Sequence, residues 1–322
     1  MILPTPEDAL AAYDALNGLL NRTPVVRAEA LDATAGTAVH AKLESLQQTG
    51  SFKVRGATNR LRTLPPDVLA GGLITVSAGN AALGAAHAAR RYGARLTVVM
   101  PENAVPEKLA AVRAYGGVVV NEGITNGAVG FERAAQLSAE QGLTLVHPFD
   151  DPMVVAGAAT ATLELLDDVP SLTRLYVPCS GGGLLAGAVL AAQTRNHDVR
   201  IIGVQPVGAA GFVASLEAGT PTAPASISTV ADGLTAPRPG GVPFAIVSAA
   251  GIEIQTVTDE QILDALTRIV AALRVVVEPS AAAGLAALLA EPEPPSGDVG
   301  LLVSGSNVNR ALLADCLARP LS

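Results

Sequence analysis

Leu73-Ile74-Thr75-Val76-Ser77-Ala78-Gly79-Asn80 reads as a short apolar, β-branched run that breaks into small residues and then opens a helix. Such a run, bounded by turn-forming residues, suits a strand buried on both faces of a parallel sheet. The pattern repeats downstream, with a helix over 80–92, a strand over 96–100, a helix over 106–115 and a strand over 118–121. Strand and helix alternate, so this segment predicts a βαβαβ unit. A helix over 128–141 and a strand over 143–146 extend it.

Working outward, residues 6–20 predict a helix with Thr5 as N-cap, Pro6 at the first position and an apolar stripe of Leu10, Tyr13, Leu16, Leu19 and Leu20. A strand over 37–43 follows, and then a helix over 53–61 that opens after Thr49-Gly50-Ser51. Beyond the βαβαβ unit come a strand over 174–177, a helix over 184–192 and a strand over 201–204. Residues 219–243 are rich in Pro, Gly, Ser and Thr and predict an irregular segment. A helix over 259–273, the stretch 275–290, a strand over 300–303 and a helix over 307–318 complete the chain. The expectation is an α/β protein with two parallel sheets.

Composition narrows the function. Of 322 residues, 49% are hydrophobic and 16% charged, and the net charge of −8 with a pI near 5.0 provides no basic stripe for nucleic acid. No apolar run reaches the ~18 residues of a membrane span, and the N-terminus has no signal-peptide pattern. Cys179 and Cys316 lie far apart without a CxxC spacing, and the protein is expected in the reducing cytoplasm. His40, His87, His147 and His197 are scattered without metal-ligand spacing, so no metal site is expected.

Ligands bind parallel sheets at the carboxyl ends of strands, so the loops there are where chemistry is sought. Ser77-Ala78-Gly79-Asn80, Ser180-Gly181-Gly182-Gly183 and Ser304-Gly305-Ser306-Asn307 share small residues that let backbone amides approach an anion. Gly181-x-Gly183-x-x-Ala186 also fits a degenerate dinucleotide fingerprint, but Gln205 stands where the ribose-binding acid belongs. No GxxxxGK[ST] occurs, which disfavours a nucleoside triphosphate. The chain has three lysines, Lys42, Lys53 and Lys108, among 21 basic residues. A lysine kept amid so much arginine suits a task arginine cannot do, namely losing its proton when desolvated and attacking a carbonyl. Lys53 is the first candidate, and its place near a helix N-terminus also lowers the pKa of a basic group. A small phosphorylated ligand that needs a reactive lysine describes pyridoxal 5'-phosphate.

The stretch from Lys42 through Thr49-Gly50-Ser51-Phe52-Lys53-Val54-Arg55-Gly56-Ala57 resembles the lysine motif of the threonine/serine dehydratase and serine racemase family, which has the tryptophan synthase β-like fold. Further matches follow in family order: Ser77–Asn80, His147-Pro148-Phe149-Asp150-Asp151-Pro152, Pro178–Gly183, Ala231-Asp232-Gly233, Val277-Glu278-Pro279-Ser280 and Ser304–Asn307. The resemblance covers nearly the whole chain. It implies two three-layer parallel-sheet domains, a large cofactor-binding one of residues 1–73 and 149–322 and a small one of 74–148 that closes on substrate. It also implies that Lys53 forms the internal aldimine with Phe52 beside the ring. Asn80 would meet the 3-hydroxyl, Ser180 to Gly183 the phosphate, Ser304 the ring nitrogen, and Gly233 and Glu278 would lie close by. Ser77, Ala78, Gly79, Asn80 and Ala81 would hold the substrate carboxylate. A homodimer follows by the same analogy.

The reaction so implied is loss of a β-hydroxyl from a β-hydroxy-L-amino acid, threonine or serine first, giving an α-keto acid and ammonia. With a neutral serine instead of a carboxylate at its nitrogen, the ring would be less readily protonated and withdraw fewer electrons, which suits elimination. Several departures bear on this reading. Ala78 replaces the serine that serves racemases as second acid/base. Gly79-Asn80-Ala81-Ala82-Leu83-Gly84 and Gly157-Ala158-Ala159-Thr160 are more apolar than the family pattern, which leaves room for a bulkier substrate such as phenylserine. No extra basic residue stands near 77–83, which argues against 3-hydroxyaspartate. Gln205-Pro206-Val207-Gly208 replaces an acidic cation loop, so no divalent activation is expected. The chain ends at Ser322 without a regulatory domain, so feedback inhibition by isoleucine is not expected. The alternative from another class is a non-catalytic cofactor-binding protein, which would be expected to have lost Lys53 or the glycine loop.

Overall fold

A computed structural model describes residues 1–318; the last four residues of the predicted 149–322 segment lie outside the described residues. Among the described residues the strands form two sheets. The larger has six strands in the order Val25–Arg27, Val39–Leu43, Asp298–Val303, Leu172–Pro178, Arg200–Pro206 and Glu253–Val257. All neighbours are parallel except the first pair, where Val25–Arg27 runs antiparallel to Val39–Leu43. The expectation of purely parallel sheets is corrected at that edge. The smaller sheet is parallel throughout, in the order Val118–Val120, Leu96–Val99, Leu73–Val76 and Thr144–Leu145.

Helices cover both faces of each sheet, because parallel strands with apolar residues on both sides must be covered twice. One face of the large sheet packs on helices Asp259–Leu273 and Pro279–Leu289, the other on Pro152–Asp168 and Gly183–Arg195. Helix Pro152–Asp168 has no counterpart in the sequence reading. Thirteen of its 17 residues are buried, so it shows no polar face and no helical stripe. The short segments Val25–Arg27, Glu29–Ala35, Pro66–Gly71, Gly211–Ala218, Gly241–Ala249 and Glu253–Val257 also went unread.

The first helix ends at Leu16, not residue 20, and its buried face is Ala9, Ala12 and Leu16, while Leu10 is exposed. Small side chains permit that close seating where the larger leucines had suggested the stripe. Its start is as read: the Thr5 hydroxyl accepts from the Asp8 amide, and the Asp8 carboxylate returns the bond.

Helix Lys53–Arg62 contacts both helix Asn80–Arg91 and helix Pro152–Asp168. The approaches are tight. A β-carbon on Gly84 would come within 2.9 Å of the Lys53 carbonyl carbon, and one on Gly157 within 2.7 Å of the Arg55 carbonyl oxygen. Beneath this helix lies a buried ion cluster. Arg55 donates to Glu44 (Nε to Oε2, 2.7 Å) and to Glu164 (Nη1 to Oε1, 2.7 Å), and Lys42 Nζ donates to Glu164 Oε2 at 2.5 Å and to the Thr23 carbonyl at 2.6 Å. Two cations face two carboxylates, so each has a partner within the protein, as burial of charge demands. Lys42 thereby finds a structural task.

Candidate active site

The carboxyl ends of both sheets open onto one cavity of about 470 Å³. Every residue predicted for the site lines it: Phe52 and Lys53; Ser77, Ala78, Gly79, Asn80 and Ala81; Ser180, Gly181, Gly182 and Gly183; Gly233; Glu278; and Ser304. They come from six separate stretches of chain.

Lys53 is the first residue of its helix, and Nζ donates to the Pro148 carbonyl at 3.0 Å. Nζ also lies 5.2 Å from the Phe52 ring centre and 5.8 Å from that of Phe149. Burial pushes the ammonium down to about 8, and Glu278 opposes the fall. The sequence reading named both desolvation and a helix N-terminus as able to lower this group, and burial supplies the first of them. Beneath Pro148, His147 stacks on Phe131, and its Nδ1 accepts from the Asp150 amide at 2.8 Å. Burial lowers His147 to about 4, so it is a neutral acceptor that fixes the turn presenting the Pro148 carbonyl.

Ser180–Gly183 links strand Leu172–Pro178 to helix Gly183–Arg195, whose N-terminus has no side-chain cap. Gly182 has φ +93°, and a β-carbon there would also meet the Phe212 ring at 2.5 Å. One on Gly181 would lie 2.5 Å from the Phe149 ring. Bare glycines at the start of an uncapped helix fit a bound phosphate. Ser180 Oγ accepts from the Ala236 amide at 3.0 Å, which ties the cradle to the neighbouring loop.

The third loop differs from its reading. No helix starts at Asn307; Asn309 caps a helix that begins at Arg310. Ser304–Ser306 instead zips onto the lysine segment: the Phe52 amide donates to the Ser304 carbonyl at 3.1 Å, and the Ser306 amide donates to the Gly50 carbonyl at 2.8 Å. The Glu278 amide donates to the Gly305 carbonyl at 3.0 Å. A side-chain relay then crosses the cavity floor, from Asn307 Nδ2 to Asn80 Oδ1 (2.7 Å) and from Asn80 Nδ2 to Glu278 Oε1 (2.7 Å). Glu278 is 2% exposed, and burial, with a smaller push from Asp232, raises it to about 7.

A reactive lysine, an uncapped glycine cradle and neutral donors around one cavity form the donor set of a phosphorylated aldehyde. The family model for pyridoxal-phosphate dependent enzymes matches residues 16–305. The chain belongs to this family. It is 35% identical over 306 residues to L-threonine ammonia-lyase of Thermotoga maritima, covering 95% of this chain and 76% of that one. It is 38% identical over 311 residues to beta-hydroxyaspartate dehydratase of Paracoccus denitrificans, covering 96% and 98%. Maize serine racemase superposes with a TM-score of 0.92 at 33% identity, covering 98% of this chain and 97% of that structure. The fold is therefore the fold-type II architecture of these pyridoxal-phosphate enzymes.

Geometry narrows two sequence arguments about substrate. Of the apolar departures, Ala81 lines the cavity, whereas Leu83, Ala158 and Ala159 are buried in helix packing and do not. The supposed lack of a nearby base is also corrected. Lys108, thirty residues beyond Ala78 in sequence, reaches the cavity, and its Nζ lies 3.6 Å from where a β-carbon on Gly79 would stand. Its partner is Asp232 at 2.5 Å. Lys108, Asp232, Phe149 and the Pro148 carbonyl were all missed as site groups. The scarcity of lysine was a signal that applied equally to Lys108.

Gln205 Oε1 accepts from the Phe212 and Val213 amides at 2.9 and 3.3 Å, capping helix Gly211–Ala218. Among the described residues no group of three or more His, Cys, Asp or Glu is arranged to hold a metal ion, and no helix is long and apolar enough to cross a membrane.

Proposed function

We propose that this protein is an ammonia-lyase that removes the β-hydroxyl of a β-hydroxy-L-amino acid, in the class of threonine and serine, and releases an α-keto acid and ammonia. The observation that carries the reading is Lys53, its ammonium lowered to about 8 by burial, facing the glycine cradle Ser180–Gly183 across one cavity. The relatives named above, a threonine ammonia-lyase and a hydroxyaspartate dehydratase, support it.

Pyridoxal phosphate, when bound, supplies an electron sink that acidifies the substrate α-carbon. Lys53 would hold its aldehyde carbon, the amides of Ser180 to Gly183 its phosphate, and Ser304, Asn80, Gly233 and Glu278 would surround the ring, with Phe52 against one side. The backbone around Ser77–Ala81, at the N-terminus of helix Asn80–Arg91, would orient the substrate carboxylate. Near neutral pH part of the Lys53 population is a free amine, able to take the α-proton. The Cβ–O bond then breaks, the hydroxyl leaves with a proton as water, and the enamine released takes up water to give keto acid and ammonia. Ala78 offers no proton carrier on the opposite side, which disfavours racemisation.

Residues 74–148, which contain the small sheet, would act as the domain that closes over the larger remainder, residues 1–73 and 149–322. A cytoplasmic homodimer is the expected setting. The test is to mix the holoenzyme with L-threonine, L-serine, L-threo-3-hydroxyaspartate and L-threo-phenylserine and follow keto acid and ammonia together. Equimolar products from one of them, lost in Lys53→Ala, are expected; no keto acid from any of the four would overturn the reading.

A further inference from the structure

Residues 147–151 carry the chain from the small sheet to helix Pro152–Asp168, and this crossing is pinned on both sides. Before it, the Val146 amide donates to the Ile74 carbonyl at 2.8 Å, and the Val146 carbonyl accepts from Thr75 Oγ1 at 2.8 Å. At its far end Asp150 Oδ1 accepts from the Val242 amide at 2.8 Å, and Asp151 Oδ1 accepts from the Met153 amide at 2.8 Å. Between the anchors stand His147, Pro148 and Phe149. The Pro148 ring fixes one backbone angle, and His147 Nδ1 draws in the two amides that follow, accepting from Phe149 at 3.3 Å and from Asp150 at 2.8 Å. An acceptor at Nδ1 leaves the ring proton on Nε2. The turn so closed aims the Pro148 carbonyl at Lys53 Nζ, 3.0 Å away, and brings Phe149 against Gly181 and Gly183.

What this carbonyl does follows from the work assigned to the lysine. Lys53 must leave the cofactor when substrate arrives and then act as a base, and its four-carbon stem gives the freed amine many places to go. Among the described residues the Pro148 carbonyl is the one hydrogen-bond acceptor that Nζ has. An amine that donates one N–H to it is held at one place, with its lone pair left for the cavity side. Charge is not the means. Asp150, Lys53 and Arg238 are the charged groups that face His147, and burial keeps its ring neutral; the charged group that acts on Lys53 is Glu278.

We propose that His147 is a positioning residue for Lys53: by holding both amides of the turn, it keeps the Pro148 carbonyl where the lysine amine, once free of the cofactor, is held and aimed. The proposal rests on the reading of Lys53 as the reacting amine and adds the group that places it.

The chain has three lysines, so carbon-13 labelled lysine lets Lys53 be titrated by NMR in the cofactor-free protein, with Lys53→Ala assigning its signal. His147→Leu removes the acceptor. His147→Asn loses the ring but keeps an oxygen at the place of Nδ1, able to accept from the amides two and three residues on. Wild-type Lys53 is expected to titrate near 8. Losing a hydrogen bond to its charged form should carry His147→Leu about one pH unit lower, while His147→Asn stays near wild type. Because the ring is already neutral at these pH values, such a shift reports position and not lost charge. In the holoenzyme His147→Leu should lower kcat about tenfold with KM changed far less, and His147→Asn should keep most of the wild-type kcat. Equal titration of Lys53 in all three proteins overturns the proposal. An equal shift in both variants also overturns it, since the cause would then be the ring's packing on Phe131. If His147→Leu does not fold, His147→Asn decides: a Lys53 displaced in it by about a unit overturns the proposal, and an unmoved Lys53 with kcat kept supports it. Should no hydroxy amino acid yield keto acid, the reaction itself is refuted, while the titration still decides whether His147 places Lys53.

Discussion

Replacing Glu278 by glutamine should flatten a pH dependence of stability that this one carboxyl imposes. The group is 2% exposed, and burial raises it from 4.5 to about 7; Asp232 adds to the rise, while Lys108, the Asn80 amide and the Asn307 backbone oppose it. Between those two values the folded chain keeps a proton that the unfolded chain has lost. Stability therefore falls as pH rises through that window, with none of this cost present below 4.5 and all of it present above 7. At about 1.4 kcal/mol per pH unit, the full cost is roughly 3 kcal/mol. A glutamine at this position would have no proton to lose, and its amide oxygen could still accept from Asn80. His147 slopes the other way, since its pKa is lowered to about 4 and its buried neutral form disfavours folding progressively below 6.5. The quantity to measure is therefore the difference between variant and wild type. Urea unfolding of the cofactor-free proteins at pH 5 and pH 8 should show Glu278→Gln gaining roughly 2 to 3 kcal/mol on wild type over that span. Parallel curves, with the difference independent of pH, would refute the argument that burial keeps this carboxyl protonated.

Gly181→Ala sets a β-carbon 2.5 Å from the Phe149 ring; it should cost about 1–3 kcal/mol in thermal or urea unfolding and weaken cofactor retention on dialysis. Arg55→Met leaves Glu44 and Glu164 without their main partner in the interior and should destabilise by about 3–5 kcal/mol, seen as a lower urea midpoint. Because Arg55 follows Lys53 by two positions on one helix, turnover should fall as well, even at temperatures where the variant stays folded. Adding Mg²⁺ or Ca²⁺ after chelation should leave activity unchanged, since the Gln205 oxygen that faces the loop after its strand is already used by two amides; a severalfold rise would show a cation site built from other groups.

Much of the architecture was legible in the chain because strand-loop-helix repeats leave a periodic mark. Leu73–Val76 followed by helix Asn80–Arg91 is read almost to the residue, since a four-residue run with three β-branched members ends in small residues and a helix. Helix Pro152–Asp168 was invisible for the opposite reason: buried on every side, it carries no contrast between faces. The first helix was read on its leucines, yet Ala9 and Ala12 share its buried face with Leu16, because interhelical closeness rewards small side chains and hydropathy does not register it.

The sequence by itself determined the cofactor chemistry. A lysine at a helix start, a glycine cradle at another and Ser77–Asn80 at a third are local arrangements, set by turn chemistry within a few residues of each other. Tertiary structure alone decided which side chains face the substrate. Leu83 and Ala158 turned into helix contacts, while Lys108 and Asp232, 124 residues apart, met across the cavity. It also decided how deeply Lys53 and Glu278 are buried, which lowers the one to about 8 and raises the other to about 7. Burial and distance between remote segments set those energies, and neither is a property of any short stretch of chain.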